Sequence, residues 1–390
     1  MSDIDNLVDA EPLNELPVAN IVVAGITGAG KSTLLNAVFG EDKAKTGQGK
    51  AITEHMNEYH EDNCPIRIWD TVGLEIDSAK TEQSIRAIRQ KIEEKALSKD
   101  GRDCIHAIWY CINSGSNRYQ EAEIRFISSL YNLHVPFIIV LTQCIDDQNR
   151  VDQFESIIRE ENIKHGMDDI EIVQVLAQDM KTRLGTIENF GLDRLVNVTI
   201  EKLPKFLVSS FIAAQNVSRE NKRGECEKII LDYVKSSLEG KWDNIWLLNI
   251  PGTYIKIKGL LLRIALVYDR VLCTHEFNWK ALTQNLSFED IWNGLIVPWQ
   301  GEYGKRVQEM FEKKVGNGYE GDFMALPKRA KAARLIAYYG CIFIDSVEET
   351  WNWKNTWKIK NINDYCNEVV RRINKHLEEE KTKKKILVIR

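Results

Sequence analysis

Gly25-Ile26-Thr27-Gly28-Ala29-Gly30-Lys31-Ser32-Thr33 decides the reading of this chain. The stretch fits the spacing GxxxxGK[ST], follows the apolar run Asn20-Ile21-Val22-Val23-Ala24, and opens a helical pattern from Lys31 to Phe39. Strand, glycine-rich turn and helix in that order make a phosphate cradle. The glycines let backbone N–H groups turn inward around phosphate oxygens, where a Cβ would block the approach. The helix start adds partial positive charge, Lys31 reaches the β- and γ-phosphates, and the Ser32 hydroxyl is placed to ligate Mg2+. Nucleotide contacts are therefore expected from Gly25, Thr27, Gly28, Ala29, Gly30, Lys31, Ser32 and Thr33.

Working outward, Arg67-Ile68-Trp69-Asp70-Thr71-Val72-Gly73 is an apolar strand ending in Asp-x-x-Gly. Asp70 at the strand end holds Mg2+ through water in this reading. The Gly73 N–H senses the γ-phosphate and couples its loss to loop motion. The polar segment between the two motifs contains Thr46-Gly-Gln-Gly-Lys-Ala-Ile-Thr53. A threonine there offers its hydroxyl to Mg2+ and its N–H to the γ-phosphate, ordering its loop only around a triphosphate. Thr53 is favoured because the strand Met56–His60 begins just after it, with Thr46 as the alternative. The metal set is then Ser32, Thr53 and Asp70, and the groups closest to phosphoryl chemistry are Lys31, Thr53 and Gly73.

Around these motifs, short β-branched runs alternate with longer helical patterns, as in a parallel sheet wrapped by crossover helices. Strands are predicted at Ala19–Ala24, Met56–His60, Pro65–Trp69, His106–Ile112, Phe137–Leu141 and Ile170–Val175. The polar second strand reads as a sheet edge. Helices are predicted over Lys31–Phe39, Thr81–Leu97, Gln120–Leu133, Asp152–His165 and Gly191–Leu203. After Leu203–Pro204 only long helical periods follow: Lys205–Glu239, Thr253–Leu272, Lys305–Val315, Pro327–Trp351 and Asn363–Glu380. The expected organisation is an acidic extension over 1–17, a domain over 18–204 with a mostly parallel sheet and helices on both faces, and an all-α domain over 205–390.

GITGAGKSTLLNAVFG, TGQGKAIT and IWDTVGLE together resemble the P-loop GTPases of the translation-factor-related class, in the broad Era-like and septin-like group. The P-loop is also similar to that of immunity-related GTPases. The resemblance spans residues 18–204 and implies a G domain that binds GTP and GDP with Mg2+ and hydrolyses GTP. Members carry [NT]KxD after the next-to-last strand, where the carboxylate takes the guanine N–H donors and the Lys stem covers the ring. Here Phe137–Leu141 runs into Thr142-Gln143-Cys144-Ile145-Asp146-Asp147. With Thr142 in the first place, Gln143 replaces Lys and the acid falls one residue late; with Asp146 in the last, Cys144 replaces Lys. Asp146 is the favoured guanine reader, and Ala177 in Val175-Leu-Ala-Gln-Asp179 resembles the final base-contacting loop. Leu74 stands where Ras-like relatives place a water-orienting Gln, which implies slow intrinsic turnover and a site completed by a residue elsewhere, a partner or a dimer. Arg118 and Arg125 are candidates to act across such a dimer.

The 390 residues carry a net charge of −5, unevenly divided. Residues 205–390 hold 31 Lys+Arg against 23 Asp+Glu, a net of +8, which leaves −13 for the first part. Eight of the ten tryptophans also fall in the basic part. Within it, Trp351-Asn-Trp353-Lys354-Asn-Thr-Trp357-Lys358-Ile-Lys360 and Lys381-Thr-Lys383-Lys384-Lys385 suggest an anionic membrane surface or RNA as a partner. The alternatives are a packed helix corner for the first and a solvated helix end for the second. Leu261, Ile264, Val267 and Val271 read as a core stripe. Asn249–Tyr268 and Ala332–Gly340 faintly resemble the helical, membrane-peripheral regions that follow some bacterial Era-like G domains. Eight scattered cysteines without a CxxC pair read as reduced core residues. With an acidic start lacking a basic, apolar leader, they predict a cytoplasmic protein, in one reading peripheral to a membrane. Homodimerisation through the G domain and an unidentified protein effector complete the expected partners.

Overall fold

The computed structural model describes residues 16–40, 50–53, 56–60, 64–71, 86, 89–90, 93–94, 104–116, 118–183, 185–239, 251–268, 301–316, 328–357 and 362–388. The described residues divide into two compact units: Leu16–Ser218, and those from Arg219 onward. Each is described by itself.

The first unit is built on a seven-stranded sheet of β1 (Ala19–Gly25), β2 (Lys50–Thr53), β3 (Met56–His60), β4 (Ile66–Thr71), β5 (Ala107–Asn113), β6 (Phe137–Thr142) and β7 (Glu171–Gln174), ordered β2-β3-β4-β1-β5-β6-β7. All pairs from β4 to β7 are parallel, and the β2–β3–β4 edge is antiparallel. The parallel strands are buried on both sides, which is why they read as continuous apolar runs. Helices α1 (Lys31–Phe39), α2 (Glu121–Tyr131), α3 (Gln148–Lys164), α4 (Leu192–Lys202) and α5 (Lys205–Ala214) accompany the sheet, and a small hairpin of β8 (Met180–Thr182) and β9 (Gly185–Ile187) follows β7. One cluster gathers Leu34, Val38, Trp109, Leu195 and Phe211; the other gathers Tyr110, Ile124, Phe126, Phe154 and Ile158.

Two sequence expectations are corrected. The polar strand Met56–His60 is not the edge, because the additional strand β2 pairs with it from the outside. The expected single helix over Lys205–Glu239 is two, α5 and α6 (Arg219–Glu239). Gln215 makes the break: its Oε1 accepts from the N–H groups of Val217 and Ser218 at 2.6 and 2.7 Å, and its Nε2 donates to the Ser218 carbonyl. A side-chain amide thus takes backbone partners that a continuous helix would have used. The expected helix Thr81–Leu97 lies mostly outside the described residues.

Helix α5, beyond Pro204, packs in the first unit. Phe211 sits edge-on to Phe39 and Trp109, with ring centroids 6.1 and 6.3 Å away, while Phe39 and Trp109 stack at 5.8 Å. Ser210 Oγ donates to the Pro17 carbonyl at 2.6 Å, and the Asn216 N–H to that of Val38 at 2.7 Å.

The second unit is helical: α6, α7 (Pro251–Tyr268), α8 (Glu302–Met310) passing into a π-turn at Phe311–Val315, α9 (Lys328–Trp357) and α10 (Ile362–Val388). Helix α9 is the hub, packed by the other four. Gly340 lets α6 and α7 close on it, since a Cβ there would stand 2.7 Å from Ile230 and 3.2 Å from Leu260. Leu261, Ile264 and Val267 are buried as the core stripe; Val271 lies outside the described residues. Arg223 bridges Asp345 at 2.7 Å and Glu348, and Arg306 reaches Asp345 at 2.6 Å. Burial alone would raise the Asp345 carboxyl, but Arg306 and Arg223 overcome it and hold the group below its ordinary range. Trp351 is buried against Tyr268 with Lys222 Nζ 5.9 Å from its ring, so it belongs to the core and not to a surface patch. The side chains of Trp353, Lys354, Trp357, Lys358, Lys360, Lys383, Lys384 and Lys385 lie outside the described residues. Among the described residues no helix is long and apolar enough to cross a membrane.

Phe211→Ala should destabilise the first unit by about 3–5 kcal/mol, the usual result of emptying a buried aromatic site. Urea unfolding followed by Trp fluorescence checks it; an unchanged midpoint would remove α5 from this core.

Candidate functional site

The site forms where β1 ends. Gly25, at φ 147°, closes β1 against β5, where a Cβ would lie 2.4 Å from the Cys111 carbonyl oxygen. Gly30 precedes α1 at φ 78°, the left-handed conformation that glycine adopts at little cost. Between them Thr27 and Gly28 are exposed and Ala29 is fully buried; Ser32 and Thr33 open α1 exposed to solvent. A glycine-flanked loop anchored by a buried alanine therefore leads directly into a helix N-terminus, where backbone N–H groups and the helix dipole favour anions.

Lys31 and Asp70 are the charges of this site, each 9% exposed. Lys31 Nζ donates to the carbonyls of Gly25 at 2.9 Å and Ile26 at 3.2 Å. Burial lowers its pKa, and Asp70 works against that shift. Asp70 is brought here by the β1–β4 pairing, which sets it opposite Val23. Burial pushes its carboxyl up to about 6, with Lys31 opposing. Asp70 Oδ1 and the neighbouring Thr71 Oγ1 are buried without a hydrogen-bond partner. The orphaned carboxylate oxygen of Asp70 and the exposed hydroxyl of Ser32 are donors of the kind that suit Mg2+, a hard cation that takes few protein oxygens and keeps several waters. Among the described residues no three His, Cys, Asp or Glu side chains converge on a metal position.

Thr53 ends β2, opposite Met56, which in turn pairs with Thr71. Its backbone thus lies at the same end of the sheet as Asp70, but three strands from β1, roughly 14 Å at ordinary strand spacing. The sequence placed this threonine in a loop; it stands in the edge strand, and its side chain is not among those described. Thr46, Gly73 and Leu74 lie outside the described residues.

On the other flank, Thr142 ends β6 nearly buried, its Oγ1 donating to the Ala29 carbonyl at 2.7 Å and within 3.2 Å of that of Ile112. Gln143, at φ 55°, is exposed and donates Nε2 to the Gly28 carbonyl at 3.2 Å. Cys144 is buried, its N–H on the Val175 carbonyl, so it cannot cover a ring. Of the two residues that the sequence offers for the Lys position of the motif, Gln143 is the exposed one and Cys144 the buried one. Asp146 is exposed, and Ala177 is half-buried in the loop after β7. Arg118 is exposed, and Arg125, also exposed, pairs with Glu121 at 3.8 Å.

The family described as 50S ribosome-binding GTPase matches residues 20–143, which span β1 through Gln143. This region is a P-loop GTPase G domain. Over 124 residues it is 34% identical to a tRNA modification GTPase MnmE of Treponema pallidum subsp. pallidum, covering 31% of this chain and 22% of that protein. Over 98 residues it is 33% identical to a GTPase Der of Cereibacter sphaeroides, covering 21% and 20%. The chain thus spans about a fifth of the length of these curated relatives. A solved probable GTP-binding protein engB aligns over 47% of this chain and 97% of its own at 17% identity, with a TM-score of 0.34, a likeness on which nothing further rests.

Sequence reasoning missed the contacts that tie Thr142 and Gln143 to the P-loop of this G domain, and the Ser114 hydroxyl that donates to the Gln143 carbonyl at 3.1 Å. Only the irregular TQCID signalled that this turn is unusual. It also missed the β8–β9 hairpin, whose two three-residue strands are mostly exposed and too short to show a pattern.

The folded state holds the Asp70 proton more tightly than the unfolded chain, so stability falls as pH rises from about 4 to 6 and the cost is then constant. Asp70→Asn should therefore stabilise the metal-free protein at pH 7.5 by on the order of 1–3 kcal/mol, and hardly at all at pH 4. Thermal melting at both pH values reads it; equal shifts would contradict the burial of this charge.

Proposed function

We propose that the chain is a GTP-binding protein that hydrolyses GTP slowly with Mg2+ and whose nucleotide state is reported to the helical part and, through it, to a protein effector. The observation that carries this reading is the convergence of the Gly25–Thr33 cradle, the buried Lys31 ammonium and the partnerless Asp70 carboxylate oxygen at the end of β1.

In this reading the N–H groups of Gly28 and of Gly30 to Thr33 hold the phosphates, the Ala29 N–H being taken by the Ile26 carbonyl, and Lys31 exchanges its loop carbonyls for β- and γ-phosphate oxygens. Ser32 and Asp70 would hold Mg2+, Asp70 through water, and Thr53, which ends the edge strand β2, would complete the set only on movement of that edge toward the P-loop. When bound, the metal neutralises charge that develops on the phosphoryl oxygens. The Gly73 N–H reports the γ-phosphate, and its loss on hydrolysis releases the adjoining loop. Leu74 has no group that can orient water, so a residue elsewhere in the chain, a partner or a dimer must complete the site. A G-domain dimer or another partner supplies the remainder, as Leu74 and the exposed Arg118 and Arg125 suggest. A cytoplasmic location fits this role.

Phosphate release from GTP should be measurable, Mg2+-dependent and slow for the wild type. Lys31→Ala should lower it by at least about 100-fold, since the group compensates transition-state charge. Phosphate release by the variant at the wild-type rate would remove Lys31 from the chemistry.

A further inference from the structure

The end of the sheet away from the P-loop, where β1 begins, is lined by α5. Ser210 ties the Pro17 carbonyl there, and Phe206 lies one turn earlier on the same side of the helix. The Phe206 ring stands edge-on to that of His106, with centroids 6.4 Å apart. His106 is in turn bound to β1, its Nδ1 accepting from the Asn20 N–H at 2.9 Å. Phe206 is nevertheless 55% exposed.

A lone exposed phenylalanine is ordinary on a protein surface. This one has two further features beside it. Helix α5 begins at Lys205 with no side-chain cap and no acidic residue in its first turn, so the partial positive charge of that end has no carboxylate of its own. Lys202 and Lys205 add two positive charges to the same corner against the exposed carboxylate of Glu201, and neither lysine is ion-paired among the described residues.

The second feature is the chain itself. It enters this corner through Leu16, Pro17 and Val18, all half-buried, and residues 1–15 lie outside the described residues. Those residues hold five carboxylates, Asp3, Asp5, Asp9, Glu11 and Glu15, with no lysine or arginine, and among their apolar side chains is Leu13. Leu13 is four residues from Pro17, a reach of up to about 14 Å, whereas Phe206 is one helical turn, about 5 Å, along α5 from the Ser210 tie. The tether is long enough with chain to spare.

We propose that residues 1–15 dock back on this corner as an acidic strap, Leu13 covering the Phe206 ring and Glu11 and Glu15 facing Lys202, Lys205 and the uncapped start of α5. The strap holds α5, the last helix of the first unit, against the base of the sheet. It lies at the opposite end of β1 from the P-loop, so its docking does not require nucleotide.

Hydrogen–deuterium exchange of the full chain tests this for the wild type, Phe206→Ser and Lys205→Glu. The amides of residues 4–15 should exchange at least about tenfold more slowly in the wild type than in either variant, while the amides of β1 and β5 stay equally protected in all three. If one variant loses the β1 and β5 protection as well, the other decides. Wild-type exchange over 4–15 at the rate of an unstructured peptide overturns the proposal. Protection that survives both variants overturns it too, since the segment then docks elsewhere. Protection that grows with protein concentration gives the surface to a second copy and overturns it as well.

Discussion

Two opposite charges, Lys31 and Asp70, are buried side by side at the end of the central strands, and the site depends on their being there. Neither is fully compensated: Lys31 leans on the carbonyls of Gly25 and Ile26, Asp70 keeps one oxygen without a partner, and burial shifts both towards neutrality. Charges held this way cost folding free energy that a ligand of phosphate and metal can return, since each component matches one of them. The β1–β4 pairing fixes their proximity, and the close approach of Gly25 to Cys111 fixes the loop above them. A larger residue at 25 would disturb strand packing and ligand geometry together.

The parallel sheet was legible because its strands are buried on both faces and so read as unbroken apolar runs flanked by helix patterns. The P-loop was legible because its glycines serve one backbone conformation that few other sequences need. What escaped were features set by pairing and not by local pattern. Strand β2 is four residues long and takes its place by pairing with β3; Gln215 breaks a helix through a side-chain hydrogen bond that periodicity does not register. The TQCID turn showed only an irregular spacing, and its register emerges from where Thr142, Gln143 and Cys144 find partners across the loop.

The helical part shows the same limit. Its periods located α6, α7, α9 and α10, yet the basic, Trp-rich composition suggested a surface where Trp351 is in fact core. Lys222, fully buried, donates to the Val267 carbonyl at 2.7 Å and lies about 6 Å from the Tyr268 and Trp351 rings. Part of the positive charge counted in this region is thus internal, joined by the Arg223–Asp345–Arg306 bridge, and net charge overstates the surface left for an anionic partner.

The central claim is that the backbone of residues 25–33 is a phosphate cradle completed by Lys31. Hydrogen–deuterium exchange of the full chain, with and without a slowly hydrolysed GTP analogue and Mg2+, addresses it at those amides. The account predicts strong protection of the 28–33 amides on addition of the nucleotide, absent in Lys31→Ala. Exchange unchanged at these amides, with the nucleotide bound, would contradict it.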